Sequence, residues 1–231
     1  LSGFGAKRHL LPVEAGRGFT RLPAPSRGDI YFDIEGDPFY DSAGLEYLFG
    51  YAYADESGNL LYAKAWAMNR MEEKTAFSKF MQFVMDRLKK YPDLHIYHFA
   101  PYEPSAVKRL ALRHTLHEAD LDWLLRAERF IDLYAVIKEG IRASVERYSL
   151  KDLELFTEYK RKIDLPVASA ARRKVEFALE LKDQESLTAE VLAIVQDYNA
   201  DDCLGTHALH RWLEQRREDL HRSGQSVLRP E

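Results

Sequence analysis

The sequence contains a single cysteine, Cys203, and no run of about 18 apolar residues. One cysteine excludes a disulfide within the chain and is typical of a protein that works in a reducing cytoplasm. Without a long apolar run, we expect no segment that spans a membrane. The chain also begins without methionine and without an apolar signal segment, so we expect it to be a fragment of a longer polypeptide.

An excess of positive charge is missing as well. The 37 Asp and Glu residues outnumber the 33 Lys and Arg residues, which gives a formal net charge of −4. A protein that coats nucleic acid is usually basic, so this class is disfavoured, although an enzyme that touches a few phosphates is not excluded. We interpret the basic clusters as solvated helix faces rather than phosphate sites. These clusters are Arg142 with Arg147 and Lys151, then Lys160–Lys162, and Arg172–Lys174.

The apolar residues predict one α/β domain. With 46% hydrophobic residues, the 231-residue chain can bury a core. Alternating and helical apolar spacings predict a mixed five-stranded sheet flanked by helices, in which the first three strands form a meander. The strands are predicted at 29–35, 46–55, 60–68, 93–100 and just before Asp132, and the long helices at 71–91, 103–114, 170–183 and 186–215.

Composition also divides the chain. Residues 1–27 are rich in Gly, Pro, Arg and Ser and are predicted to form a linker or an N-terminal arm. Residues 28–215 are predicted to form the folded domain, and 216–231 a C-terminal tail.

Two acids share one face of the first predicted strand. In the segment DIYFDIEGDP, three apolar residues alternate with Asp33 and Glu35, so both carboxylates point away from the core, about 7 Å apart. Such a pair is self-repelling unless a cation lies between its members. An Asp-x-Glu at a strand end also arises by chance, which leaves a structural alternative open.

A third acid lies on the apolar stripe of the last predicted helix. At about 100° per residue, Val195, Leu209 and Leu213 fall within about 20° of Asp202, and Tyr198 lies one turn before it. A carboxylate on such a face costs several kcal/mol unless it is paired or coordinated. No basic residue shares this stripe, so we expect a cation as the partner. The alternatives are hydrogen bonds from Asp202 to backbone and a simple core role for Tyr198.

Carboxylates that converge from separate elements suggest phosphoryl chemistry. Oxygen ligands suit Mg²⁺ or Mn²⁺, and two ions about 3.5–4 Å apart can clamp the attacking and leaving oxygens of a phosphodiester. Asp33 and Glu35 with the pair Tyr198 and Asp202, four residues apart, resemble the tyrosine-bearing branch of the DEDD exonuclease superfamily, which has an RNase H-like fold. The resemblance covers about residues 28–215.

The chain is also similar to the RNase H-like domain of RecB-like nucleases. In that group the domain is joined to other modules, which implies helicase or nuclease domains in the same polypeptide. The similarity rests on four segments: YFDIEGDP, YHFAPYEPSAVKRL, IDLYAVIKEGIRASVERYSLKDLE and YNADDC.

The second motif departs from the superfamily pattern. The usual Asn-x-x-x-Tyr-Asp reads here as His98, Tyr102 and Glu103. Glu103 still offers a carboxylate, one methylene longer, and we expect it to be the remaining metal ligand. Asp132 is a competing acid, which we interpret as a helix cap or a structural hydrogen-bond acceptor.

The resemblance implies a 3′–5′ exonuclease that shortens single-stranded nucleic acid. We expect DNA as the substrate, with RNA as the alternative. Asp33 would bridge two Mg²⁺ or Mn²⁺ ions, Glu35 and Asp202 would hold the inner ion with the attacking water, and Glu103 would help to hold the second. Tyr198 would orient the water, since an ordinary tyrosine pKa of about 10 makes it a poor base.

Three further residues are candidates for substrate binding. Tyr102 belongs to the second motif, while Tyr148 and Lys151 lie at a predicted helix start in RYSLKDL, where they can touch phosphate or base. The alternative is that Tyr148 only packs against the core and that Lys151 is an ordinary solvated side chain.

Two other functions compete with the nuclease. A degenerate nuclease serving as a nucleic-acid-binding or scaffold module is favoured by Glu103 and by the acidic net charge. A phosphatase of the haloacid-dehalogenase type is suggested by DIEGD, although that class uses Asp-x-Asp. Hydrolysis of a small phosphomonoester would identify the phosphatase.

Overall fold

The computed structural model describes residues 7–230. Its strands are β1 (Arg8–Leu10), β2 (Ile30–Asp37), β3 (Leu45–Ala54), β4 (Leu60–Trp66), β5 (Ile96–His98), β6 (Phe130–Asp132) and β7 (Ile141–Ala143). Its α-helices are α1 (Arg70–Lys90), α2 (Tyr102–His114), α3 (Glu118–Arg126), α4 (Leu133–Gly140), α5 (Leu150–Leu153), α6 (Leu165–Glu180) and α7 (Ala189–Arg222). Short 3-10 helices cover Gly18–Arg21, Glu154–Phe156 and Gln184–Ser186. The ends of the predicted arm and tail, 1–6 and 231, lie outside the described residues.

The main sheet has five strands in the order β4-β3-β2-β5-β6. β2, β3 and β4 are antiparallel neighbours, whereas β5 and β6 run parallel to β2. The predicted α/β fold, with a mixed five-stranded sheet flanked by helices and an initial meander, is therefore confirmed. A separate antiparallel pair is formed by β1 and β7.

The alternation in β2 divides the protein into two layers. Ile30, Phe32 and Ile34 are buried on the face covered by α1, α2 and α3, and Phe32 stacks on Phe80 with ring centroids 3.9 Å apart. Burial of each large apolar side chain contributes about 1.5–3 kcal/mol. The intervening residues of β2 consequently face the other layer.

Helix α7 crosses that second face of the sheet. Its apolar stripe, including Leu209 and Leu213, is buried with Tyr31 of β2 and Tyr97 of β5. This packing fixes α7 against the sheet and determines where the acids on its inward face lie.

Several elements differ from the predictions. Helix α3 and strands β1 and β7 were not predicted. The two strands have only three residues each, whereas α3 has a clear apolar face with Leu121 and Leu124 that was overlooked. The fourth strand is only Ile96–His98, since Ala100 adopts a left-handed backbone with a φ of 70° and turns the chain. Helix α6 begins at Leu165, with Pro166 in its first turn, five residues before its predicted start.

The described parts of the predicted arm and tail pack on the domain. Phe19 and Leu22 of the predicted arm are buried, and the guanidinium of Arg217 donates to the carbonyl of Phe19 over 2.9 Å. Helix α7 continues to Arg222, seven residues beyond its predicted end. The predicted tail at 216–231 therefore begins inside this helix. No helix in residues 7–230 combines the length and hydropathy needed to cross a bilayer.

Candidate metal centre

Three acids from two elements form one compact group. Asp33 and Glu35 of β2 and Asp202 of α7 each offer a carboxylate oxygen, and these atoms lie within 4.8 Å of one another. Glu35 and Asp202 are buried, whereas Asp33 is half-buried. The alternation of β2 and the helical spacing of α7 thus bring these three predicted residues together.

A β-bulge follows the strand acids. The pairing of β2 with β3 shifts its register between Glu35 and Gly36. A Cβ atom on Gly36 would lie 2.2 Å from Oε2 of Glu46 and 2.6 Å from the hydroxyl of Tyr102. A side chain at position 36 would therefore displace the Glu46 carboxylate and the Tyr102 hydroxyl from their present places.

Asn199 holds Asp33 in place. Its Nδ2 atom donates to Oδ2 of Asp33 over 2.7 Å, and its Oδ1 atom accepts a hydrogen bond from the Tyr62 hydroxyl over 2.8 Å. A Cβ atom on Gly50 would lie 1.5 Å from that Oδ1 atom. The sequence analysis did not predict a role for Asn199, although this residue lies on the inward face of α7, about 60° from Asp202.

Glu103 lies next to this group but not within it. It is buried at the start of α2, and its Oε2 atom has no hydrogen-bond partner within the described range 7–230. Nδ1 of His98 is 3.7 Å from that oxygen but lies 2.7 Å from the carbonyl of Ala100, to which it donates. Burial raises the pKa of Glu103 to about 8.

Three basic side chains meet the acids, which corrects one prediction. Nζ of Lys151 donates to Asp202 over 2.8 Å, and Arg161 also donates to Asp202. Nε of Arg172 forms an ion pair with Glu35 at 3.0 Å. The interpretation of the basic clusters as solvated faces is wrong for one member of each cluster. These three basic side chains come from segments outside α7, so the residue pattern of that helix could not predict them.

Tyr198 lies at the centre of these basic groups. Its ring centroid is 5.2 Å from Nζ of Lys151, 5.7 Å from the guanidinium carbon of Arg161 and 5.5 Å from that of Arg172. Cations near an aromatic face are attracted to it. Burial and the charge of Asp202 raise the pKa of Tyr198, so its hydroxyl stays protonated near neutral pH.

The acids carry more negative charge than the surrounding groups stabilise. Burial, and then the charges of Asp202 and Glu35, raise the pKa of Asp33 well above its ordinary value. Burial raises the pKa of Glu35 to about 7, against the opposing effect of Arg172. Carboxyl groups behave in this way when a further cation is needed to stabilise their charged form.

The remaining predicted residues have identifiable contacts. The Tyr102 ring is 43% exposed, and its hydroxyl donates to Glu46 over 2.9 Å. The Tyr148 hydroxyl bonds to backbone at both ends of β7, accepting from Ala143 and donating to Ile141. Substrate contacts of Tyr102 and Tyr148 stay predictions. Asp132 caps α4 by accepting from the Tyr134 amide, which confirms its predicted structural role.

Asp201, which was also missed, organises the loop that carries Arg161. It is fully buried and accepts from the Tyr159 hydroxyl at 2.5 Å, from the Lys162 amide at 2.9 Å and from the Ile163 amide at 3.1 Å. The next residue, Asp202, points towards Asp33 and Glu35. Asp201 therefore holds the loop, and Asp202 accepts a hydrogen bond from Arg161 of that loop.

The donor set fits a divalent metal ion. Hard oxygen ligands from three carboxylates suit Mg²⁺ or Mn²⁺, and Glu103 is close enough for the charges of Asp202 and Glu35 to act on it. The raised pKa values of Asp33 and Glu35 indicate negative charge that a cation would stabilise. The arrangement can therefore place metal-bound water beside a phosphodiester.

Comparison with known proteins supports the same chemistry. No curated protein and no solved structure matches the chain. A model of the RNase_H superfamily matches residues 30–214, a range that contains the five-stranded sheet and all four acids described above. This match bears out the RNase H-like fold and suggests a nuclease. On this evidence the chain belongs to the RNase_H superfamily.

Proposed function

We propose that the protein is a metal-dependent 3′–5′ exonuclease that shortens single-stranded DNA. The observation that carries this proposal is the convergence of Asp33, Glu35 and Asp202 within 4.8 Å. When bound, divalent ions lower the pKa of a bound water and stabilise the leaving oxyanion. The polarity and the single-stranded substrate follow from the resemblance to the DEDD exonucleases.

Each side chain has a specific role in this proposal. Asp33, Glu35 and Asp202 would hold Mg²⁺ or Mn²⁺, with Asp33 shared between two ions, and Glu103, with its unpartnered oxygen, would help to hold the second. Tyr198 keeps its proton and orients the attacking water through its hydroxyl.

Asn199 supports this arrangement as a positioning residue. Its hydrogen bond to Asp33 leaves the other carboxylate oxygen free to face an ion. Partners of this kind, which orient a metal ligand, typically change affinity for the metal about 10–100-fold.

The setting of the protein is also part of the proposal. We infer that the domain works in the cytoplasm, because its one cysteine, Cys203, is buried and unpaired. We further infer that helicase or nuclease domains belong to the same polypeptide, as in the RecB-like nucleases.

A second candidate is a degenerate nuclease that binds nucleic acid without cleaving it. The observation that favours it is the occupation of two acids by basic side chains: Lys151 and Arg161 pair with Asp202, and Arg172 pairs with Glu35. In this alternative the basic groups permanently replace the metal.

The test uses 5′-labelled single-stranded DNA and RNA with Mg²⁺ or Mn²⁺. The exonuclease produces a ladder that shortens from the 3′ end, and the ladder is absent with EDTA and in the Asp33→Asn/Asp202→Asn variant. Intact DNA under every metal condition, together with retained binding of the strand, would establish the degenerate module instead.

A further inference from the structure

We propose that Lys151, Arg161 and Arg172 form a phosphate-binding site whose basic groups exchange partners when metal binds. In the metal-free protein they pair with the acids. When Asp202 and Glu35 hold metal, the same groups bind the backbone phosphate of the nucleic acid. This inference rests on the proposed function, because it assigns the substrate contacts of that same site.

The three basic groups converge although they come from different elements. Lys151 belongs to α5, Arg161 to the loop before α6, and Arg172 to α6 itself. All three lie within 5.7 Å of the Tyr198 ring centroid, measured to Nζ or to the guanidinium carbon. Their mutual repulsion is offset in the metal-free protein by their ion pairs with Asp202 and Glu35, and those are the acids that a metal ion would take up.

Arg161 is held so that it presents unused donors. Its guanidinium donates to both carboxylate oxygens of Glu154, over 2.8 Å and 2.7 Å. Its side chain is only 10% exposed, yet Nη1 has no hydrogen-bond partner among residues 7–230. A buried arginine with a free donor is suited to an anion that the structure does not contain.

The surrounding backbone keeps Arg161 at this place. Gly205 allows Glu154 to approach α7, since a Cβ atom there would lie 2.4 Å from Oε1 of Glu154. Asp201 fixes the loop through the amides of Lys162 and Ile163. If Asp202 is taken up by metal, Arg161 therefore stays anchored to Glu154 and only changes its second partner.

The charges explain why phosphate and metal binding are coupled. The acids are in excess around the three basic groups: Asp33, Glu35 and Asp202 are joined by Glu154 beside Arg161 and by Glu176 beside Arg172. Metal ions bound to the first three acids would offset part of this excess and leave the basic groups available for a phosphate.

The experiment separates metal binding from strand binding. Free Mn²⁺ is measured by electron paramagnetic resonance, and binding of a fluorescein-labelled single-stranded oligodeoxynucleotide is measured by anisotropy with Ca²⁺, which avoids turnover. The variants are Arg161→Gln and Arg172→Gln. Lys160→Gln and Arg173→Gln are matched controls, because both residues are exposed neighbours of the same charge.

We expect Arg161→Gln to bind Mn²⁺ several-fold more tightly and the oligonucleotide about tenfold more weakly. The controls should change neither constant by more than about twofold. Unchanged oligonucleotide binding in both arginine variants would overturn the phosphate site. Weaker Mn²⁺ binding would overturn the exchange and make Arg161 a structural support of Asp202.

Two further results keep the test decisive. If Arg161→Gln melts well below the wild type, Arg161→Lys replaces it, because lysine retains the charge and loses the planar fork. Arg161→Lys should then weaken oligonucleotide binding and leave Mn²⁺ binding unchanged.

A protein that shows the expected binding changes but hydrolyses no DNA contradicts the exonuclease and leaves the phosphate site standing. Hydrolysis with an unaltered KM in Arg161→Gln contradicts the phosphate site and leaves the exonuclease standing.

Discussion

Nδ2 of Asn199 donates a 2.7 Å hydrogen bond to Oδ2 of Asp33, which joins the last helix to the first strand of the sheet at the metal centre. The same amide accepts from the Tyr62 hydroxyl, so its orientation is fixed from two sides. Asn199 thus fixes the orientation of the Asp33 carboxylate.

Replacement of this amide should weaken metal binding. We expect Asn199→Ala to raise the Kd for Mn²⁺ about 10–100-fold, because the Asp33 carboxylate loses its orienting donor. Isothermal titration with Mn²⁺ measures the effect, and Gln82→Ala, on an exposed position of α1, is the control. A Kd within about twofold of the wild type would show that the strand alone orients Asp33.

Gly50 and Asn199 should be energetically coupled. A methyl group at position 50 would overlap Oδ1 of Asn199, so Gly50→Ala should destabilise the fold by about 1–3 kcal/mol. In the Gly50→Ala/Asn199→Ala double variant the clash is relieved, and the two losses should not add. Urea denaturation of the three variants gives the coupling. Additive losses would mean that the strand moves away from the helix instead.

The metal-free protein should become less stable as the pH rises. The pKa of Glu35 is raised from 4.5 to about 7 and that of Glu103 from 4.5 to about 8, in both cases mainly by burial. A carboxyl group with a raised pKa holds its proton more tightly in the folded protein. Its contribution is complete below the ordinary pKa and is lost as the pH rises through the raised value.

Below about pH 6.5 the half-buried His95 and His207 and the buried His210, whose pKa values burial lowers, act in the opposite sense, because the unfolded chain takes up protons there. Thermal melts in EDTA should therefore fall by several degrees between about pH 6.5 and about pH 8. Mn²⁺ should reverse the fall at the upper end, because metal binds the ionised carboxylates. Glu103→Gln removes one titrating group and should flatten the curve near pH 8. A melting temperature that rises steadily with pH in EDTA contradicts this prediction.

Asp201 should protect the loop at 157–164 from proteolysis. Asp201→Ala removes the acceptor of the Tyr159 hydroxyl and of two backbone amides, so the loop should open more often. We expect trypsin to cut after Lys160, Arg161 or Lys162 at least about tenfold faster, as measured by mass spectrometry over time. Asp197→Ala, on the same helix, is the control. Equal cleavage rates would assign the rigidity of the loop to Arg161 and Glu154.

The acids of the site could be predicted because regular elements place them. Alternation puts Asp33 and Glu35 on one face of β2, and helical spacing puts Asp202 on the inward face of α7. The same spacing includes Asn199, but an amide is neither an apolar core residue nor a carboxylate, so the pattern of that face did not single it out. Its burial beside Gly50 depends on packing between α7 and β3.

The basic groups could not be predicted by these periodicities. Lys151 lies in a four-residue helix, and Arg161 lies in a loop whose course is set by Asp201. Arg172 lies on a helix that packs against the start of β3 and α7. The position of each of these three side chains depends on tertiary contacts. In the sequence alone, a local cluster of Lys and Arg cannot be told from an ordinary solvated surface.

The chain keeps its acids and its bases on separate stretches. The acids come from β2, α2 and α7, which are regular elements of the central layers, whereas Lys151, Arg161 and Arg172 all come from one continuous segment. Substitutions within that segment change the basic side of the site while the sequence of the carboxylate-bearing elements stays the same. Because Asp201 and Asp202 hold the segment through Arg161 and the amides of Lys162 and Ile163, a replacement segment has to keep those contacts in order to fold onto α7.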